Sequence, residues 1–314
     1  MSAVAGWRCQ IERVAADRQS GATGIAKACA EALLAYLEEE TPTSVREIED
    51  AIREMATTVL ARQSVMAPVV DVFNWLLQAL AGASDVEMAV TAVRDTASMY
   101  KAQMATAHAR MAQFVIGLLP ERATVMTLSY SSAVAMTIFA ARVAGRKLRV
   151  ICLESRPNLE GRALAASLAR AGFEVVVTTD AACYANLSET DLFLVGADSL
   201  TVGGVLNKMG TAALAASAQS CGVPGYALAA TNKIWPERLG RPLLREYGPD
   251  EVWENRPDGV TVRNHYFDIA PWQAFAGVVT EEGILSRDEI SRRCRAAEVH
   301  PVMSAIVAEV CAQA

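Results

Sequence analysis

The 314-residue chain has no close pair of cysteines: Cys9, Cys29, Cys152, Cys183, Cys221, Cys294 and Cys311 are scattered. That spacing excludes a C-x-x-C redox or zinc motif, and the seven are read as reduced thiols of a cytoplasmic protein. Its three histidines, His108, His265 and His300, lie far apart and share no ligand spacing with cysteine or carboxylate, so no metal is expected. No apolar run reaches the roughly 18 to 20 residues that a bilayer span needs. A basic-then-apolar leader is not expected either, because Trp7-Arg8-Cys9-Gln10 interrupts the start. There is no excess of positive charge: the net formal charge is -6, which gives no broad attraction for phosphate backbones and argues against direct nucleic-acid binding. No G-x-G-x-x-G follows the first strand, so a bound dinucleotide cofactor is not expected, and without a G-x-S-x-G frame a serine hydrolase is discounted.

What is present is hydrophobic content of 52% carried largely by alanine-rich segments. Residues 3–118 read as helix throughout. Ile25, Cys29, Leu33, Leu34 and Leu37 form one stripe, and Ile48, Ile52, Met55 and Val59 form another, at steps of three and four. Ser44, ending Thr41-Pro42-Thr43-Ser44, is placed to cap the second helix. Two more helices are expected at 68–80 and 85–116. Alanine-rich helices with few aromatics pack closely and leave apolar patches for subunit contact, so a homodimer or larger homo-oligomer is expected.

The pattern changes at Thr124-Val125-Met126-Thr127-Leu128, and strands then alternate with helices: strands at 124–128, 148–152, 174–178, 192–195 and 225–229, helices at 133–144 and 161–171. Such alternation implies right-handed crossovers and a parallel sheet. The expected fold is therefore α/β, an all-helical domain at 1–119 followed by a Rossmann-like parallel-sheet domain at 120–314.

In such a sheet the ligand crevice lies beyond the carboxyl ends of the strands. Polar residues gather there. Ser129, Ser131 and Ser132 sit between a strand and a helix, where hydroxyls and free amides hold a phosphate or simply cap the helix. Asp198 ends an apolar strand after Gly196-Ala197, and is read either as an acid–base group for a sugar or as a turn cap. Asn207 and Lys208 suit a hydroxyl and an anionic oxygen, with a solvated lysine beside a capping amide as the alternative. Lys233 follows the last strand as a further cation. Glu154, Arg156 and Arg162 flank one strand-to-helix loop, as phosphate ligands or as an internal Glu–Arg pair.

Taken together, Glu154-Ser155-Arg156-Pro157, Glu160-Gly161-Arg162, Val195-Gly196-Ala197-Asp198 and Asn207-Lys208-Met209-Gly210-Thr211 resemble the family uniting the alpha, beta and delta subunits of initiation factor 2B with two isomerases. Those isomerases act on methylthioribose 1-phosphate and ribose 1,5-bisphosphate. The resemblance extends to Ser20-Gly21-Ala22, to Arg62 before Met66-Ala67-Pro68, and to Phe267-Asp268 with Val279-Thr280-Glu281-Glu282-Gly283. It implies a helical domain on a Rossmann-like one, assembly through the latter, and a substrate site including Gly21, Ala22, Arg62, Asn207, Lys208 and Lys233. It also implies aldose-to-ketose conversion by a cysteine and an aspartate. Asp198 matches the aspartate; the cysteine position falls on Ser129, whose hydroxyl ionises far less readily than a thiol. The arginine that precedes Gly-Ala in the bisphosphate isomerase falls on Ser20. Two readings follow: a protein that binds a phosphorylated ribose-type sugar or nucleotide-derived ligand, with or without isomerisation, and a non-catalytic assembly or regulatory subunit.

Overall fold

The computed structural model describes residues 6–18 and 20–313. Residues 3–5 of the expected first helix lie outside the described residues. Five helices come first: α1 (Trp7–Ala16), α2 (Ala22–Glu39), α3 (Val45–Leu60), α4 (Ala67–Leu80) and α5 (Val86–Leu118). They are followed by β1 (Arg122–Leu128), α6 (Ser132–Val143), β2 (Lys147–Leu153), α7 (Glu160–Arg170), β3 (Glu174–Thr178), the single turn α8 (Cys183–Asn186) and β4 (Leu192–Val195). The remainder is β5 (Ser199–Thr201), β6 (Gly204–Lys208), α9 (Thr211–Ser220), β7 (Gly225–Leu228), β8 (Phe267–Pro271), β9 (Gly277–Thr280), β10 (Gly283–Leu285), α10 (Arg287–Ala296) and α11 (Pro301–Ala312). No described helix is long and apolar enough to cross a membrane.

The helical unit gathers the described residues through Thr106, the segment Asn232–Leu243, and the described residues from Arg293 onward. Its helices form where the apolar stripes said they would: Ile48, Ile52, Met55 and Val59 are completely buried, as are Cys29 and Leu33. Ser44 caps α3, its Oγ accepting from the Glu47 amide at 3.3 Å, while the Glu47 carboxylate reaches back to the Thr43 amide at 2.7 Å. The unit boundaries do not follow a single cut at 119/120, and the packing explains why. Met303, Ile306 and Val310 of α11 are buried, on a helix that packs against α3 and α4. Asn74 of α4 is tied to the chain just before α11, donating to the Glu298 carbonyl at 3.0 Å and accepting from the His300 amide at 2.8 Å.

The sheet unit holds Ala107–Thr231 and Leu244–Arg292. Its main sheet has seven strands in the order β10-β9-β7-β4-β1-β2-β3, parallel except for the edge strand β10. Central strands of such a sheet are covered on both faces and read as continuous apolar runs; all four residues of β4 are buried. The last turns of α5 contribute Met111 and Val115 to the core with Val125, Ile138, Val150, Leu164 and Leu194. Chain order runs outward from β1 to β2 and β3, then returns to β4 on the other side of β1. The topological switch point, where the crevice of an open α/β sheet opens, therefore lies between β1 and β4.

A second, three-stranded antiparallel sheet, β5-β6-β8, also belongs to this unit. The stretch between Asp198 and Asn207 is a tight β5–β6 hairpin. Thr201 Oγ1 accepts from the amides of Gly203 and Gly204 in its turn, both at 3.2 Å.

Candidate functional site

Parallel register sets the height of the strand ends. Leu128 pairs with Leu153, and Thr127 with Leu194, so the turns after β1, β2 and β4 leave the sheet level with one another. Ser129 follows β1 with φ of +68°, and Ser155 follows β2 with φ of +66°. With Leu159, just before α7, these are the non-glycine residues in left-handed conformation among the described residues, and all three lie at this end of the sheet. Each such residue costs of order 1 to 3 kcal/mol unless its surroundings hold it. The surroundings are explicit. The Ser129 amide donates to Ser155 Oγ at 2.7 Å, and that hydroxyl donates to the Leu153 carbonyl. The Asp180 carboxylate accepts from the amides of Ser155 and Arg156, each at 2.7 Å.

Ser131 is the N-cap of α6, its Oγ accepting from the Val134 amide at 3.4 Å, and Ser132 is the exposed first residue of that helix. The turn after β4 passes beneath this cap. A methyl group at Gly196 would come within 2.6 Å of Ser131 Oγ, so only glycine fits there. Two residues on, Asp198 is half-buried, its amide donating to the Leu206 carbonyl at 2.8 Å to open the hairpin.

The hairpin returns Asn207 and Lys208 to the same place. Asn207 is buried and donates to Thr211 Oγ1 at 3.0 Å; its own Oδ1 lies 3.9 Å from where a Gly196 methyl would stand. Lys208 is only 4% exposed. Its Nζ sits 2.8 Å from Glu160 Oε1 and 4.8 Å from the centre of the Tyr266 ring, which is itself stacked on Tyr247. Glu160 is the first residue of α7, which can start so close to β2 because the next residue is Gly161. A methyl group there would fall 1.8 Å from the Leu153 carbonyl oxygen. The second carboxylate oxygen, Glu160 Oε2, is buried without a hydrogen-bond partner.

Asp268 completes the arrangement from β8, in register with Asn207. It accepts from the amides of Gly210 at 2.8 Å and Ala212 at 3.2 Å, holding the start of α9. Burial pushes its carboxyl up to about 6, against the opposing pull of those two amides. Glu160, Tyr266 and Asp268 were not singled out as site residues from sequence. The strand–helix motif containing Glu160 was visible, but the pairing of β8 with β6 across some sixty residues leaves no local signal.

The remaining expected site residues belong to the helical unit. Gly21 is the N-cap of α2 and Ala22 its buried first residue. Arg62 is half-exposed and 3.3 Å from Glu12. Lys233 is buried in the short turn Thr231–Lys233. Of the two readings for the loop after β2, the internal pair is the one found: Arg162 Nε donates to Glu154 Oε2 at 3.1 Å. Arg156 donates to the Val252 carbonyl at 3.0 Å. Among the described residues no cluster of three or more histidine, cysteine or carboxylate side chains is close enough to hold a metal. Nor does a neighbouring thiol replace the missing cysteine, since Cys152 is fully buried in the core and burial pushes it up to about 12.

Chemically, the end of the sheet offers a buried ammonium, an amide, hydroxyls at the first turn of α6, and the carboxylates Asp198, Asp268 and Glu160. The amino ends of α6 and α7 also lie beyond strand ends, and first-turn amides favour an anion. The family model described as "Initiation factor 2 subunit family" matches residues 18–287. Among curated relatives, the ribose 1,5-bisphosphate isomerase of Archaeoglobus fulgidus is 30% identical over 282 residues, covering 87% of this chain and 88% of that protein. A protein of Pyrococcus furiosus named putative translation initiation factor eIF-2B subunit 2-like is 32% identical, covering 88% of this chain and 94% of its own. Among solved structures, translation initiation factor eIF-2B of Pyrococcus horikoshii superposes with a TM-score of 0.77 at 29% identity, covering 89% of this chain and 96% of that one. A match spanning this much of the chain settles its kinship: the protein is a member of the initiation factor 2 subunit family.

Proposed function

We propose that the chain binds a phosphorylated ribose-type sugar at the carboxyl end of its parallel sheet, in the manner of a sugar-phosphate isomerase. One observation supports this reading: a buried asparagine and the buried lysine next to it on β6, the lysine paired with Glu160 of α7, lie at the same end of the sheet as the left-handed serine turn after β1. Lys208 supplies the charge for a phosphate oxygen, Asn207 a donor for a hydroxyl, and the α6 first turn further amides. Asp198 is placed for proton exchange at the sugar. Ser129, standing where the resemblance expects cysteine, is a far weaker partner for it. Gly21, Ala22, Arg62 and Lys233 are proposed to complete the substrate contacts on the strength of the family resemblance.

A second reading rests on that same serine. A chain that has lost the thiol keeps the fold and the ligand pocket without the chemistry, as a regulatory or assembly subunit would. The scattered cysteines suit a reducing cytoplasm. Self-association is part of either reading, and the exposed apolar stripe Met136, Phe139 and Val143 on α6 supports it.

Thermal-shift titration with ribose 1,5-bisphosphate, methylthioribose 1-phosphate and a nucleoside monophosphate separates the two. A ligand held at 100 times its dissociation constant stabilises the folded state by about 2.7 kcal/mol. The isomerase-like reading expects a clear rise with one ribose phosphate that disappears in Lys208→Ala. No rise with any of the three supports the subunit reading.

A further inference from the structure

The opposite, amino-terminal end of the same sheet carries a second concave surface that the sugar-phosphate reading does not use. A groove of about 640 Å³ runs across the starts of β1, β2 and β3 and the turns that lead into them. In a chain of net charge -6 it is lined by Arg122, Arg142, Arg146, Lys147 and Arg149. Among the described residues three carboxylates border these cations, and all are engaged: Glu189 lies 2.5 Å from Arg149. Asp191 accepts from the Thr124 amide at 2.7 Å, and Glu174 lies 3.2 Å from Arg149. Among the described residues no carboxylate comes within ion-pair distance of Arg122, Arg142, Arg146 or Lys147.

The cations are also fixed rather than loose. Arg142 lies over the Phe173 ring, 4.9 Å from its centre, and donates to the Ala171 carbonyl. Arg146 donates to the Ile116 carbonyl at 3.2 Å, while its Nε is buried without a hydrogen-bond partner. Arg122 and Lys147 are partners in the β1–β2 register, so two exposed like charges stand side by side on neighbouring strands. Like charges at paired positions repel, and a buried guanidinium nitrogen without an acceptor costs free energy. The repulsion is removed by an anion that bridges the groove. A single phosphate would satisfy one or two of these groups; spread over three strand starts, they suit a chain of phosphates. The groove is one local concavity on an acidic chain, which argues against an extended nucleic-acid backbone.

We propose that this groove binds an oligophosphate anion, either free or as the phosphate chain of a nucleoside polyphosphate. Calorimetric titration of the full-length protein with inorganic tripolyphosphate, and in parallel with uridine triphosphate, tests it. Equal affinities assign recognition to the phosphates alone, and tighter binding of the nucleotide adds its base to the contacts; both support the site. The double variant Arg122→Gln/Lys147→Gln removes two exposed side chains that contribute no bond to the fold, and should weaken binding by about tenfold or more at low salt. Arg146→Gln should weaken it independently, with unfolding monitored by circular dichroism. Lys208→Ala should leave it unchanged. Absence of saturable binding overturns the proposal, as does binding that survives the double variant and is lost in Lys208→Ala, which would assign the anion to the sugar-phosphate site.

Discussion

Lys208 and Glu160 each hold the other in place. An ammonium this deeply buried is tolerable only beside a counter-charge, and breaking a buried pair by removing one member is far more damaging than replacing both. In Glu160→Gln the ammonium keeps the Tyr266 ring but loses its carboxylate, so the ligand-free protein should lose about 3 kcal/mol, a fall in Tm of roughly 6 to 12 °C. A phosphate would then meet an uncompensated lysine. The stabilisation produced by the cognate ribose phosphate should exceed that of the wild type, as read by calorimetric scans with and without ligand. A variant as stable as wild type, with an unchanged ligand response, would remove Lys208 from the anion site. Ser129 invites the reverse experiment. Cysteine is close to isosteric with serine, so Ser129→Cys should keep the turn and change stability by no more than about 0.5 kcal/mol. If the turn retains isomerase geometry, conversion of aldose to ketose phosphate should rise by about a hundredfold, the lower end of what a positioned acid–base group supplies. No rise, in a variant that still binds the sugar phosphate, would assign the turn to binding alone.

At the scale of single elements, α9 begins on a carboxylate whose titration falls within an accessible range. Asp268 is raised from 3.8 to about 6. A folded-state value above the unfolded one means that its favourable contribution is complete below about pH 4 and is lost as pH rises through about 6. The loss is at most about 3 kcal/mol, taking 1.36 kcal/mol for each pH unit. Asp268→Asn cannot titrate, so the difference in unfolding free energy between wild type and variant should shift in the variant's favour between pH 4 and 7 by an amount of this order. Urea denaturation across that range measures it, and parallel curves would show that Asp268 does not titrate there. The same element shows why the sequence was legible in some places and silent in others. Strands of the main sheet from β1 to β4 are apolar runs ending in polar turns, and helices such as α3 carry stripes of period 3.6, so local pattern reveals both. That pattern puts Ser131 and Asp198 beyond the ends of β1 and β4, whereas Asn207 and Lys208 are the last two residues of a strand, β6. It did not reveal β5, β6 and β8. Every residue of β6 is buried, so no alternation marks it as a strand, and its partner β8 is distant in sequence. Asp268 and Tyr266 reach the site only through such pairings, whereas Glu160 arrives on the locally legible β2–α7 connection.

For the molecule as a whole, the first and last described helices belong together. The helical unit opens with α1, and α11 is part of it. Met303 and Ile306 of that helix are completely buried, with Val310 at 3% exposure. Truncating a fully buried side chain of this size costs about 2 to 5 kcal/mol, so removing these three with the helix takes away about 6 to 15 kcal/mol, as much as the 5 to 15 kcal/mol that stabilises an ordinary domain. Asn74 would also be left facing water where the Glu298 carbonyl and His300 amide had been. A chain ending at residue 296 should therefore lose hydrogen-exchange protection throughout α3 and α4, while β1, β2 and β4, whose core neighbours are Val125, Ile138, Val150, Leu164 and Leu194, keep theirs. Equal loss in both sets of elements would mean that the two units unfold as one, and unchanged protection in α3 and α4 would mean that α11 contributes little to the helical core. Only selective loss fits a helical unit closed by the last helix of the chain.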